Sequence, residues 1–174
     1  DSIDGQQWNW IDYDNDGDID LILSVYQGNL DGRCVEIMEN VDGQFVKLEN
    51  SGVDLCSASY DGTTLWDMNN DGWLDIISKE KIFKNNGDKT FSEVSNIAMG
   101  STYIYMRGIA DINNDGFWDL VVPGVGTLFI NKGDMTFQEI NYNVGTINDP
   151  RCVSFSDIDN DGDVDFALGQ KRIY

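Results

Sequence analysis

Apolar residues along this chain fall in short runs and nowhere recur at a helical period over a useful length. Leu21-Ile22-Leu23, Ile76-Ile77-Ser78, Leu120-Val121-Val122 and Phe166-Ala167-Leu168 are mostly apolar and only three residues long, which predicts buried strands. A second pattern follows. Ile82-Phe83-Lys84-Asn85 and Leu128-Phe129-Ile130-Asn131 each lead into an Asn/Gly/Asp turn and a strand beginning at Phe91 or Phe137. Ile37-Met38-Glu39-Asn40, running to Phe45, is a looser copy. Strand, polar turn and strand predict a hairpin. Trp10, Leu65, Ile109 and Phe155 stand at one equivalent place ahead of the short runs, where an inward-facing strand position is expected.

What precedes each short run is acidic. Asp12–Asp20, Asp67–Asp75, Asp111–Asp119 and Asp157–Asp165 all read D-x-[DN]-N-D-G-x-x-D. Calcium takes six to eight oxygens at about 2.3–2.6 Å from carboxylates, amide and backbone carbonyls, and water. A nine-residue loop supplies them if alternate residues point inward and the chain turns sharply at the glycine, which has no Cβ to oppose positive φ. The expected ligands of the first loop are Asp12, Asp14, Asp16, the backbone carbonyl of Asp18, and Asp20. The second offers Asp67, Asn69, Asp71, Trp73 through its backbone, and Asp75. The third offers Asp111, Asn113, Asp115, Phe117 through its backbone, and Asp119. The fourth offers Asp157, Asp159, Asp161, the backbone of Asp163, and Asp165. About four calcium ions are therefore expected, held more tightly by the Asp-rich first and fourth loops.

Two other readings of the loops are weaker. An EF-hand closes with a bidentate Glu at position twelve between helices, but position twelve here is Leu23, Ser78, Val122 and Leu168. Asn-Asp-Gly also turns well without metal. Five carboxylates within nine residues nevertheless repel one another unless a cation neutralises them.

The loops change the meaning of the composition. The 174 residues carry a formal charge of −20, and sixteen of the 31 acidic residues lie in the loops. The acidity is thus largely a ligand set. It argues against nucleic acid, which wants clustered Lys and Arg, and against anionic membrane surfaces. No apolar run approaches a membrane span. The first residue is Asp1, so a leader or upstream segment is expected to have been removed or the sequence to be partial. Cys34, Cys56 and Cys152 allow one internal disulfide in three pairings. Nearness in sequence favours Cys34 with Cys56, and three buried thiols are the alternative. No N-x-[ST] glycosylation motif occurs.

The acidic loops start at 12, 67, 111 and 157, a period suited to propeller blades. One unit would be a strand, an acidic loop, a strand and a hairpin, which makes four antiparallel strands. The expected fold is all-β: a β-propeller-like array of about four blades within one domain, 1–174, with units near 1–53, 54–98, 99–144 and 145–174. At these residues the chain resembles the FG-GAP/VCBS repeat family, whose blades also build the integrin α-subunit propeller. The run from Gly108 to Gly124 and the hairpins Asn85–Phe91 and Asn131–Phe137 carry the likeness. The Phe-Gly and Gly-Ala-Pro elements are degenerate or missing, so the VCBS branch fits better. The resemblance implies bound calcium and an extracellular or cell-surface setting, and leaves the ligand open.

Lys171-Arg172-Ile173-Tyr174 aligns with Glu80-Lys81-Ile82-Phe83, with no hairpin after it, so the last blade is expected to be incomplete. The chain is then part of a longer propeller, a small ring closed by Asp1–Gln7, or an open array whose edge a second subunit covers head to tail.

Enzymatic activity is not expected. With no His, His-based triads and His-ligated zinc are excluded, and no Gly-rich phosphate loop occurs. Glu36, Glu39, Glu49, Glu80, Glu93 and Glu139 lie outside the loops, but nothing pairs two of them for hydrolysis. Trp8, Trp66, Trp73, Trp118, Tyr60, Tyr103, Tyr105 and Tyr142 could stack on a glycan or fill the space between blades. The expectation is a non-catalytic, calcium-stabilised module acting in recognition, adhesion or surface assembly on an unnamed protein or glycan. The alternatives are a head-to-tail filament subunit and an accessory domain of a secreted carbohydrate-active enzyme.

Overall fold

The first acidic loop is the connection between two paired strands: Ile11 at the end of one strand lies opposite Asp20 at the start of the next. The second and fourth loops do the same, with Trp66 opposite Asp75 and Ser156 opposite Asp165. In the third, Ala110 lies opposite Asp119. The computed structural model describes residues 5–27, 32–57, 63–78, 81–94, 97, 108–122, 126–141 and 150–170. These residues are all-β and contain no helix. They form two compact units, 1–67 with 71–94 and 68–70 with 95–174.

The first unit holds two sheets. One runs β1 (Gly5–Ile11), β2 (Asp20–Gln27), β3 (Gly32–Val41) and β4 (Gln44–Lys47) in antiparallel order, and β5 (Cys56–Ser57) pairs with β3. The other runs β6 (Thr64–Trp66), β7 (Asp75–Ile77), β8 (Ile82–Asn85) and β9 (Phe91–Val94). The second strand of each sheet is buried on both faces, which is why it reads as an unbroken apolar run. In β2, Leu21, Leu23 and Val25 cluster on one face, while Ile22 joins Tyr13, Ile37, Leu55, Ile76, Phe83 and Phe91 on the other.

The second unit repeats the plan in β10 (Gly108–Ala110), β11 (Asp119–Val122), β12 (Thr127–Asn131) and β13 (Phe137–Asn141). Its other sheet has two strands among the described residues, β14 (Pro150–Ser156) and β15 (Asp165–Gln170). The fold is thus a β-propeller-like series of four-stranded blades with two described strands in the last. Lys171–Tyr174 lie outside the described residues.

Each predicted hairpin is present, with Asn85 opposite Phe91, Asn131 opposite Phe137 and Asn40 opposite Phe45. The looser copy differs in its turn. Asp42 and Gly43 form a two-residue loop with φ of 53° and 82°, the left-handed pair that suits a tight hairpin. Cys34 and Cys56 face each other across β3 and β5 and are joined as a disulfide. The inward position predicted for Trp10 is corrected. Its ring is exposed, while Leu65, Ile109 and Phe155 are half-buried.

Candidate metal centres

Each acidic loop turns through two residues with positive φ. The glycine at position six does so at Gly17, Gly72, Gly116 and Gly162 (φ 95°, 87°, 88° and 94°). The asparagine at position four does so at Asn15, Asn70, Asn114 and Asn160 (φ 55°, 57°, 55° and 61°). Asn accepts this region better than other residues with a Cβ. The motif's Asn at position four, which ligand chemistry leaves unexplained, is therefore a backbone requirement.

The carboxylates are oriented by the loop's own amides. The leading Asp accepts two backbone N–H groups with its two oxygens. Asp12 accepts from Asp16 and Gly17, Asp67 from Asp71 and Gly72, Asp111 from Asp115 and Gly116, and Asp157 from Asp161 and Gly162. At position three, Asp14, Asn113 and Asp159 accept the N–H two residues on. At position five, Asp16, Asp71, Asp115 and Asp161 accept from Asp18, Trp73, Phe117 and Asp163. Asn69 stands at the third position of the second loop. At position seven the second and third loops carry aromatic side chains. Trp73 and Phe117 lie against the hairpin glycines, so that a Cβ at Gly87 or Gly133 would come within 2.8 or 2.5 Å of their rings.

Position nine does structural work as well. Asp20, Asp75 and Asp119 are fully buried. Asp20 accepts the N–H groups of Tyr13 and Asn40, and Asp119 those of Ile112 and Asn131. Asp75 accepts from Asn85. One carboxylate thereby ties the loop to the third strand. Burial, only partly offset by these bonds, raises the pKa of Asp20 and Asp119 above the ordinary carboxylate range. Asp165 accepts from Ile158 and is exposed.

The geometry suits a cation. Ligand oxygens of Asp12, Asp14 and Asp20 lie within 4.8 Å of one another, and so do those of Asp157, Asp159 and Asp165. Oxygens about 2.3–2.6 Å from one ion are separated by no more than about 5 Å. The all-oxygen donor set is that of a hard cation. Asp14 and Asp16 form a further such group with Glu39, a residue the loop motif could not reveal. Its position on β3, next to the Asn40 that bonds Asp20, carries it there. The Lys89 ammonium already pairs with Asp14 at 3.0 Å and with Glu39, and Lys84 pairs with Asp71 at 3.2 Å.

Among the aromatic side chains considered above, Trp8 and Trp66 are exposed and Trp73 and Trp118 half-buried. Tyr60, Tyr103, Tyr105 and Tyr142 lie outside the described residues. Trp8 sits 6.5 Å from Trp10, which meets the edge of Phe45 at 5.6 Å.

Four-stranded antiparallel sheets, each carrying an acidic loop between its first two strands, define a blade-repeat protein. A family model described as FG-GAP-like repeat matches residues 12–78, 67–122 and 111–168. The chain belongs to the FG-GAP-like repeat family. No match was found among curated proteins or solved structures.

Proposed function

We propose that this chain is a non-catalytic, calcium-stabilised extracellular module that works through recognition or assembly. The observation that carries this is the convergence of Asp12, Asp14 and Asp20, and of Asp157, Asp159 and Asp165, into groups one ion can span. Calcium would neutralise each loop and add its binding free energy to the folded state. About four ions would bring the formal charge from −20 to −12. The extracellular setting is supported by the Cys34–Cys56 disulfide, which persists in oxidising compartments. Calcium availability agrees, since extracellular modules bind at about 10⁻⁴–10⁻³ M. No described helix is long and apolar enough to cross a membrane.

Calorimetric titration with calcium, paired with thermal melting, tests the proposal. The expected result is binding that raises the melting temperature, with smaller rises in Asp16→Ala and Asp161→Ala. A melting temperature indifferent to calcium, or unchanged calcium dependence in both variants, would overturn it.

A further inference from the structure

Beside the first loop, a second set of carboxylates gathers around a cation that the chain itself supplies. Oxygens of Asp14, Asp16 and Glu39 lie within 4.8 Å of one another, a group distinct from that of Asp12, Asp14 and Asp20. Asp14 belongs to both groups, and its two oxygens are used differently. Oδ1 accepts the N–H of Asp16 within the loop, while Oδ2 meets the Lys89 ammonium at 3.0 Å. The same ammonium donates to Glu39 Oε1. Glu39 comes from β3 and Lys89 from the turn between β8 and β9, so neither belongs to the nine-residue motif.

A buried hydroxyl faces the same place. Tyr13 is 1% exposed, and Phe91 stacks on its ring with centroids 6.1 Å apart, which fixes the ring. Its hydroxyl has no hydrogen-bond partner among the described residues, and Asp14 Oδ2 has none apart from its contact with Lys89. The Asp14 side chain is only 4% exposed. Burial, and after it the charges of Glu39 and Asp14, raise the Tyr13 pKa, so the phenol lies at these carboxylates and stays neutral. Buried polar atoms without hydrogen bonds are costly. An ion with the water it carries would satisfy both.

The arrangement is particular to the first blade among the first three. Strand registers place Glu39, Lys84 and Ile130 at one position, just before Asn40, Asn85 and Asn131. Position three is Asp14 in the first loop but Asn69 and Asn113 in the next two, and the hairpin position of Lys89 is Met135 in the third blade. Where Glu39 gives way to Lys84, that lysine reaches Asp71 at 3.2 Å and supplies fixed positive charge instead. Charge in the first blade favours a divalent ion over the ammonium. Asp12, Asp14, Asp16, Asp20 and Glu39 carry five negative charges when ionised, of which one calcium in the loop and Lys89 balance three. A second calcium in place of the ammonium balances four.

We propose that Asp14, Asp16 and Glu39 form a second calcium site beside the first loop, at which the Lys89 ammonium stands in for the ion when calcium is low. Asp14 Oδ2 and the Glu39 carboxylate pass from Lys89 to the ion, and the Tyr13 hydroxyl bonds to the ion or its water. Three carboxylates fill only part of a shell of six to eight oxygens, so the ion keeps several waters and binds weakly, at about 10⁻³ M. Its entry frees Lys89 and so removes an ionic tie between the second blade's hairpin and the first blade. This rests on the calcium reading of the loops and adds to it a site that the loop motif does not contain.

Calorimetric calcium titration of the full chain counts the ions, and acylation of lysine amines, read peptide by peptide in calcium and in chelator, follows Lys89. Glu39→Gln, which keeps an acceptor for Lys89, should bind one ion fewer per chain than the unmodified protein. Lys89→Met, which removes the competing ammonium, should tighten the weakest ion. Lys89 should be acylated several-fold faster in calcium, because an ion confined to the loop would leave its pairing with Glu39 in place. Equal ion counts in the unmodified protein and Glu39→Gln, no tightening in Lys89→Met, or Lys89 acylation that calcium leaves unchanged would overturn the second site. Loop binding that persists in that event leaves the calcium reading standing, whereas no calcium binding by any of these proteins removes both.

Discussion

The side chain of Asn15 donates to the backbone carbonyl of Gly72 at 3.2 Å, so the turn of one acidic loop is fastened to the turn of the next. Asn15 holds φ at 55°, and this aims the amide outward from its own loop. One residue therefore shapes its loop and joins two blades. The roles separate by substitution. Asn15→Gly keeps the left-handed backbone and loses the bond, and should cost about 1 kcal/mol. Asn15→Ala also meets a left-handed penalty of about 1 kcal/mol or more, and should cost correspondingly more. Chemical denaturation in calcium of the two variants checks the order. Equal losses would mean that the bond contributes alone.

The Lys89 ammonium pairs with Asp14 and Glu39, two of the carboxylates gathered at the first loop. Those two carboxylates hold its ammonium pKa above the ordinary lysine range. A cation competing for the same oxygens must weaken calcium there. Met135 takes the equivalent place in the third blade with φ of 63°, close to the 67° of Lys89, so Lys89→Met fits the backbone. The variant should bind calcium at the first loop about three- to tenfold more tightly, the scale of one partly exposed ion pair. Calcium titration of the two proteins decides it, and an unchanged affinity would place the ion away from Asp14.

The blade plan was legible because both its signals are local. An acidic loop between apolar triplets fixes where β1 and β2 begin and end, and Asn85 to Phe91 fixes a hairpin. The carboxylates that converge within a loop, Asp12, Asp14 and Asp20 or Asp157, Asp159 and Asp165, were legible for the same reason. What was not legible depends on neighbours distant in the chain. Glu39 reaches the first loop only through strand pairing, and Lys89 only because the second blade packs beside the first. Trp10 shares its repeat position with Leu65, yet the repeat pattern cannot say whether another blade covers it. The position-four asparagines were plain in the sequence, but their meaning lies in φ and in a carbonyl some fifty residues away.

In the calcium-free protein the contribution of Asp20 and Asp119 to stability varies with pH in the opposite sense to that expected of bound calcium. Burial raises Asp20 and Asp119 above their unfolded values, so between those values the native state binds more protons than the unfolded chain. Stability from these groups then falls as pH rises and recovers as pH drops through the carboxylate range. Calcium needs the same oxygens ionised, so the loaded protein loses stability as pH drops. Asp88 and Asp134, lowered by hydrogen bonds from Thr90 and Thr136, lose their contribution on acidification. They lie outside the loops and cancel in the difference between the two conditions. Melting temperatures with calcium and with chelator should therefore converge as pH falls through this range. A constant gap would mean that the ion does not depend on these carboxylates.

The disulfide closes a loop of chain between Cys34 and Cys56, which are 22 residues apart. In the chain-entropy account, opening a loop of that length frees the unfolded state by about 3 kcal/mol. The loss should act on the first blade in particular, because Val35 also donates to Leu55 at 3.0 Å beside the bridge, and both Leu55 and Ile37 sit in its core. Cys34→Ala/Cys56→Ala should thus lower stability by about that amount while leaving calcium binding at the fourth loop, in the other compact unit, unchanged. Denaturant unfolding with a calcium titration separates the two effects. Equal loss of calcium at the Asp157–Asp165 loop would show that the two units unfold as one.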